Sequence, residues 1–317
     1  MQKFLIIQTA FIGDVVLATA VAEKLHAHYP DAQIDFLVRK GNERLLTAHP
    51  FIKNVLIWDK QAGKTRNLLA LLGKIRAARY DEVINLQRFF SSGLLTAFSG
   101  AKSTRGFSTN PLAAFFKHTS PHYIGIAGKL HEIARNQQLI ADITDTQAAK
   151  PRLYPSVADK QAVAQLVKSR YICCAPSSVW FTKQYPKEHW TTFLNQLPND
   201  VTVYILGAQS DAILAEEMIA KSGNNQAHNL CGKLTYLESA ALMEGALMNF
   251  VNDSAPMHFA SAVNAPVTAI FCSTVPAFGF GPLSDTSIVI ETPERMPCRP
   301  CGVHGRKKCP LIHFNCA

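Results

Sequence analysis

No stretch of this 317-residue sequence approaches the roughly 18 consecutive apolar residues that a membrane-spanning helix needs. A soluble protein is therefore expected, attached to a membrane at most peripherally. The opening Met1 to Gln8 carries one positive charge and four consecutive apolar side chains, too few for the apolar stretch of a secretory signal, so a cytoplasmic location is expected. There is no G-x-G-x-x-G after an apolar run, which speaks against a nicotinamide or flavin dehydrogenase, and no G-x-x-x-x-G-K-[ST] of a P-loop NTPase. No two aspartates stand two residues apart, as a metal-dependent Asp-x-Asp site would require. Repeats of solenoid length and low-complexity tracts are also missing.

What is present is a chain with 48% hydrophobic residues, long enough to bury two cores of ordinary domain size. The net charge of +9 is uneven. Residues 1–150 hold 19 Lys and Arg against 11 Asp and Glu, and residues 151–317 hold 13 against 12. The basicity belongs to the first half, either as a solvated surface or as a face for an anionic partner. A non-catalytic nucleic-acid-binding protein would fit a pI near 9.1, but the basic residues do not alternate with aromatics as a stacking platform requires, so no nucleic acid is expected as a partner.

Short apolar runs alternate with helical patterns from end to end, the mark of βαβ units and a parallel α/β sheet. Strands are predicted near Phe4–Gln8, Ile34–Val38, Val55–Trp58 and Glu82–Leu86, with helices over Asp14–Tyr29 and Thr65–Arg79. Leu17, Val21 and Leu25 recur every four residues in the first helix, and Pro30 follows its end. Two prolines bracket Lys150–Pro155, and the pattern restarts there with a helix over Asp159–Ser169 and a strand at Tyr171–Ala175. Further strands are predicted near Val201–Leu206, Ala227–Leu230, Phe250–Asn252 and Val267–Phe271. Helices are predicted near Glu188–Leu197, Asp211–Ser222, Tyr236–Met243 and Ala255–Val263. The expectation is two Rossmann-like domains, residues 1–153 and 154–290, with a ligand cleft between them, and a cysteine-rich tail over 291–317.

Three segments pass from strand through a short turn into a helix. In the first, Thr9 to Asp14, Gly13 permits close backbone approach and Asp14 sits at a helix N-terminus. Asp14 is either an N-cap or a general base, since the helix dipole favours an ionised carboxylate able to accept a proton from a hydroxyl. In the second, Ala175 to Trp190, Ser177 and Ser178 offer hydroxyl and N–H donors and Lys183 a mobile positive charge for phosphate oxygens. The alternative is an ordinary strand-to-helix loop, with Pro186 in the first helical turn and Trp190 in the core. In the third, Phe250 to Ala262, Asp253 or Ser254 caps a helix and His258 is a core histidine. Alternatively, Asp253 meets sugar or ribose hydroxyls while the N–H groups of Ser254, Ala255 and Met257 face a diphosphate.

Four of the eight cysteines, Cys173, Cys174, Cys231 and Cys272, lie in apolar surroundings and read as buried reduced thiols. The others, Cys298, Cys301, Cys309 and Cys316, crowd the tail with two histidines. Cys298-x-x-Cys301 is good spacing for zinc, but the second pair departs from a zinc-ribbon repeat, so structural thiols or disulfides compete with a structural Zn site.

Taken in order and spacing, Phe4 to Thr19, Ala175 to Trp190 and Asn252 to His258 resemble glycosyltransferase family 9, the lipopolysaccharide heptosyltransferases, nearly end to end. The resemblance implies a GT-B fold and metal-independent transfer of a heptose, with inversion, from ADP-L-glycero-D-manno-heptose to the inner core of a lipid A-linked acceptor. A family member using another nucleotide-sugar for surface polysaccharide is the alternative. By position, Asp14 corresponds to the family's proposed base, Ser177, Ser178 and Lys183 to its phosphate-binding loop, and Asp253 with the turn after it to its donor-sugar site. The first domain would then bind the acceptor, a phosphorylated glycolipid, and the second the ADP-sugar. No cofactor is required on this reading. Cys272-Ser-Thr-Val-Pro276 departs from the Gly-Pro-Thr type of turn frequent in the family.

Overall fold

The structure, a computed structural model, describes residues 1–61, 63–125, 130–168 and 170–317. The chain divides into two compact units, the first built from Met1–Tyr123 and Leu130–Tyr154 and the second carrying Pro155–Ala317. The cysteine-rich tail belongs to the second unit and does not stand apart from it.

The first unit runs β1 (Lys3–Ile7), α1 (Ile12–His28), β2 (Gln33–Arg39), β3 (Ile52–Trp58), α2 (Lys64–Ala78), β4 (Glu82–Asn85), α3 (Phe90–Ala97), β5 (Ser103–Phe107), β6 (His118–Ser120) and α4 (Glu132–Gln137). Its six strands pair in parallel in the order β3-β2-β1-β4-β5-β6. β1 is buried along Phe4–Ile7 because helices cover both faces of the sheet, which is why its sequence is an unbroken apolar run. Leu17, Val21 and Leu25 of α1 are at most 1% exposed; burying each contributes about 1.5–3 kcal/mol.

The second unit contains α5 (Val157–Ala162), β7 (Tyr171–Ala175), α6 (Lys187–Asn195), β8 (Thr202–Ile205), α7 (Ala212–Ser222), β9 (Ala227–Asn229), α8 (Tyr236–Glu244), β10 (Asn249–Asn252), α9 (Ala255–Ala262), β11 (Val267–Phe271) and β12 (Ser287–Glu291). Its parallel sheet has the order β12-β11-β10-β7-β8-β9. Trp190 on α6 sinks into the core with Ile172, Val203, Ile205 and Met218, a structural role. In each unit the chain winds outward in both directions from a central pair, β1 and β4 in one and β7 and β10 in the other. The carboxyl ends of those pairs are the switch points at which open α/β sheets bind ligands.

The predicted helix over Asp159–Ser169 is corrected. Asp159 is not its start but the third residue of a capping box, in which Ser156 N–H and Asp159 Oδ2 meet at 2.8 Å, so α5 begins at Val157. After Ala162 the backbone closes tighter bonds, Ala164 N to Gln161 O and Leu166 N to Val163 O, and Ser169 lies outside the described residues. The helix predicted from Asp14 likewise starts two residues earlier, at Ile12.

Candidate functional site

At the switch point of the second unit, two loops separated by 76 residues are tied together. Asn252 Nδ2 donates to Pro176 O at 2.5 Å, and Asn252 Oδ1 accepts from Tyr185 N at 3.2 Å, so the last residue of β10 fixes both ends of the loop that follows β7. Gln184 Nε2 donates to Ser178 O at 2.7 Å and closes that loop on itself. Within it, the buried Ser177 Oγ has no hydrogen-bond partner among the described residues.

Lys183 and Asp253, predicted as two separate ligand contacts, pair with each other. Lys183 Nζ lies 2.7 Å from Asp253 Oδ2, with side chains 14% and 7% exposed, and Thr274 Oγ1 donates to the same Oδ2 at 2.6 Å. Asp253 is held in place by its N–H, which extends the β10–β11 ladder to Ile270 O at 3.1 Å. It is thus no helix cap. Ser254 is the N-cap residue of α9 without a side-chain cap bond, and Pro256 occupies the first turn, where its missing N–H costs nothing. The N–H of Met257 is donated to Ser254 O at 3.1 Å and its side chain is fully buried, so Met257 is corrected from a ligand contact to a packing residue. Ser254 and Ala255 remain at the end of α9 where N–H groups lack intrahelical acceptors. His258, 7% exposed, is a buried histidine on the same helix.

Thr182, next to Lys183, was not singled out from sequence. Ser273 Oγ donates to Thr182 Oγ1 at 2.9 Å, Arg306 N donates to it at 2.8 Å, and Thr182 N donates to Arg306 O at 3.1 Å. The tail therefore forms a wall of this site. Gly305 has φ +73°, and a Cβ there would stand 3.1 Å from Lys183 Cγ and from Thr182 Oγ1. Only a glycine combines that backbone with that closeness.

Cys298, Cys301, Cys309 and Cys316 line a cavity of about 250 Å³ together with Thr182, Ser273, Arg306 and His313. All eight cysteines are free thiols, so of the alternatives for the tail the disulfides are not formed. Burial and the neighbouring thiols push Cys301 and Cys316 up, keeping them protonated at neutral pH. Among the described residues, no group of three or more His, Cys, Asp or Glu side chains is placed to hold a metal ion. Cys231 and Cys272, buried as predicted, are pushed up to about 11 and about 12, mainly by desolvation.

In the first unit, the turn after β1 sits at the other switch point, where Gln87 Nε2 donates to Gln8 Oε1 and Asn42 Nδ2 donates to Ala10 O at 3.1 Å. Phe11 is the N-cap of α1, so the capping alternative for Asp14 is corrected: Gly13 and Asp14 lie in the first helical turn. Gly13 is not among the glycines with positive φ, so the turn does not require a left-handed backbone there. Asp14 is half-buried and benefits from the helix dipole. Thr9 is an anchor: Lys60 Nζ donates to its carbonyl at 2.8 Å. Lys60 also lies 4.5 Å from the Trp58 ring centroid, and burial, then Arg39 and Lys64, lower its pKa. Lys60 at Thr9 and Arg39, 5.2 Å from the Phe11 ring centroid, thus bring positive charge to the turn that carries Asp14, which suits an anion. Lys60 is not legible in the sequence, because an isolated lysine in a loop carries no pattern.

The family model for glycosyltransferase family 9 (heptosyltransferase) matches residues 68–308. Lipopolysaccharide heptosyltransferase 3 of Escherichia coli strain K12 is 28% identical over 276 residues, covering 83% of this chain and 80% of its own. The solved E. coli ADP-heptose lipopolysaccharide heptosyltransferase II superimposes with a TM-score of 0.78 at 21% identity, over 92% of this chain and 91% of its own. E. coli heptosyltransferase WaaC, solved with ADP-2-deoxy-2-fluoro heptose, does so with a TM-score of 0.73 at 19% identity, over 92% and 94%. The two parallel six-stranded sheets with their helices match these enzymes, which have the GT-B fold. With a family match that spans most of the chain, this chain belongs to glycosyltransferase family 9.

Proposed function

We propose that this glycosyltransferase moves a heptose, with inversion, from ADP-L-glycero-D-manno-heptose to the inner-core oligosaccharide of a lipid A-linked acceptor in lipopolysaccharide synthesis. The observation that carries the proposal is the cluster of Lys183, Asp253, Thr274 and the unpartnered Ser177 hydroxyl at the carboxyl ends of β7, β10 and β11. It joins a mobile cation and hydroxyl donors beside the N-terminus of α9, the set that a diphosphate needs. The names of the relatives, and the ADP-heptose analogue bound to WaaC, support heptose and ADP as the sugar and nucleotide.

In the proposed reaction, Asp14 takes the proton of an acceptor hydroxyl as its oxygen bonds to the anomeric carbon. The bond from that carbon to the ADP oxygen breaks on the opposite face, and ADP leaves with the bonding pair. Lys183 and the end of α9 meet the charge that develops on the diphosphate, a task a divalent ion performs in metal-dependent enzymes. Asp253 holds Lys183 before the donor arrives and is available to sugar hydroxyls once the ammonium turns to phosphate. Arg39, Lys60 and Lys64 in the first unit supply positive charge for a phosphorylated acceptor.

Calorimetry with ADP-heptose, alongside ADP-, GDP- and UDP-hexoses, tests the donor. Asp14→Ala should bind ADP-heptose as the wild type does and lose transfer by orders of magnitude. Turnover at the wild-type rate in that variant removes Asp14 from the mechanism. Preference for a GDP- or UDP-sugar transfers the protein to surface polysaccharide synthesis.

A further inference from the structure

Along α3 and the turn at Ala113–Phe115 the first unit presents bare aromatic rings, with Phe89 and Phe90 at the N-terminal end of α3 beside the switch point and Phe98 beyond its other end, against Phe115. Phe89, Phe90, Phe98 and Phe115 are 64%, 57%, 49% and 62% exposed. The Phe98 and Phe115 rings stand 6.2 Å apart and pack on each other. The backbone behind them is fixed. Asn110 Nδ2 donates to Gln87 O and to Phe89 O, both at 3.1 Å, and Gly93 of α3 lies so near Asn110 that a Cβ would sit 2.2 Å from its Oδ1. The rings are therefore displayed by a rigid edge, and such an apolar patch marks an interaction surface.

The same edge is basic. Arg88 is exposed immediately before Phe89, and Lys117 is exposed two residues after Phe115. Lys117 Nζ donates to Lys102 O, which brings it beside Lys102, whose side chain is 82% exposed. The exposed Arg76 reaches the backbone at Gly100, two residues from Phe98. Asp81 answers one of these cations, Lys102, at 2.7 Å. Aromatic rings bordered by lysine and arginine have a complementary surface in the headgroup region of an anionic bilayer. There the rings reach the acyl boundary while the cations meet lipid phosphates. A protein partner would be expected to meet an interface core depleted of lysine, and here lysines flank the ring pair itself. Among the described residues no helix is long and apolar enough to cross a membrane, and attachment through this face would be peripheral.

We propose that the edge formed by α3 and the Ala113–Phe115 turn docks the enzyme onto the surface of an anionic phospholipid bilayer, with Phe98 and Phe115 entering the interface. It rests on the proposed function only for its purpose, access to a membrane-borne acceptor. Docking needs no donor and no turnover, so either proposal can fail while the other stands.

Co-sedimentation of the full chain with vesicles rich in phosphatidylglycerol, against vesicles of phosphatidylcholine alone, reads the docking. Wild type should bind the anionic vesicles, release at high salt, and ignore the neutral ones. Phe98→Ser/Phe115→Ser and Lys102→Glu/Lys117→Glu should each lower partitioning by roughly tenfold or more. Both should transfer normally to a deacylated, water-soluble acceptor, which also shows that they fold. Phe98→Trp, a mild change, should show quenching by brominated phosphatidylglycerol beyond that of the wild type. Equal binding to neutral vesicles, undiminished binding by the double variants, or no added quenching overturns the proposal. So does a wild-type dimer that the serine variant dissociates without any vesicle binding, which would assign the face to self-association.

Discussion

Lys183→Met is the substitution whose two effects can be separated and sized. Methionine keeps most of the side-chain volume and removes the ammonium that lies 2.7 Å from Asp253 Oδ2. The carboxylate is then 7% exposed, with Thr274 Oγ1 at 2.6 Å as its remaining side-chain donor. Removing one partner of a buried ion pair costs about 3–5 kcal/mol. The retained Thr274 bond and some access of water at the lysine position set the loss near the lower end, about 3 kcal/mol. In a unit of this length that lowers Tm by roughly 6–12 °C. Turnover should fall about 10²–10³-fold, the effect of removing one preorganised group from a developing charge. Thermal melts and ADP release under donor saturation measure the two effects. Asp253→Asn added to Lys183→Met removes the stranded charge, so the double variant should regain stability and stay slow. Refutation has two independent forms: a double variant no more stable than Lys183→Met denies the buried pair, and an unchanged kcat denies Lys183 its place on the diphosphate.

Gly305→Ala forces an L side chain to φ +73° against Lys183 and Thr182, and should cost about 1–2 kcal/mol while raising the donor KM; an unchanged KM would separate the tail from the donor site. Glu132 is 5% exposed, and although desolvation raises its pKa, the His122 hydrogen bond and charge and Arg135 outweigh it and leave it lowered. A carboxylate depressed in the folded state adds stability above its unfolded pKa near 4.5 that disappears as pH falls through the folded value. Glu132→Gln should therefore lower stability at neutral pH and flatten the acid limb of the melting curve, and an acid limb identical to wild type would contradict the assignment. Chelation by EDTA should leave turnover unchanged if, as proposed, Lys183 meets the charge that a divalent ion meets in metal-dependent enzymes; loss of activity restored by Mg²⁺ would refute metal independence.

The central strands of both sheets were legible because parallel strands covered on both faces must be apolar throughout, as in Phe4–Ile7 and Val267–Phe271. β5 escaped notice because its Thr104 and Arg105 are polar yet buried. Arg105 is 3% exposed only because Glu82 at 2.9 Å and Asp142 at 2.6 Å neutralise it, and neither partner is near in sequence. β12 carries the apolar run Ile288-Val289-Ile290, a strand signal in the sequence, yet as an edge strand it leaves all five residues exposed. For the site, the rule that a turn follows each strand located Asp14, Ser177, Lys183 and Asp253. It could not report that Lys183 and Asp253 bind each other, nor that Thr274 joins them. Those contacts depend on which strands become neighbours, and β7 meets β10 across more than 70 residues.

The tail shows what such closure adds. Arg299 donates to Phe271 O, Cys272 O and Thr274 O and pairs with Glu291 at 2.6 Å, which gathers the carbonyls left at the carboxyl end of β11. Cys301 N donates to Ser273 O at 2.8 Å, and Arg306 bonds Thr182 in both directions. Thr182 and Ser273 bond each other, so the residue before Lys183 and the residue before Thr274 are locked to one frame. The ammonium and the hydroxyl that share Asp253 therefore have their backbones set by the last twenty residues of the chain. A half-buried cation that must leave a carboxylate for a diphosphate needs a mobile side chain on an immobile backbone, because motion of the loop would dissipate the orientation on which charge stabilisation depends. That requirement gives the cysteine-rich tail a physical place in the proposed donor site, through backbone hydrogen bonds and a glycine rather than through the sulfur chemistry its composition advertises.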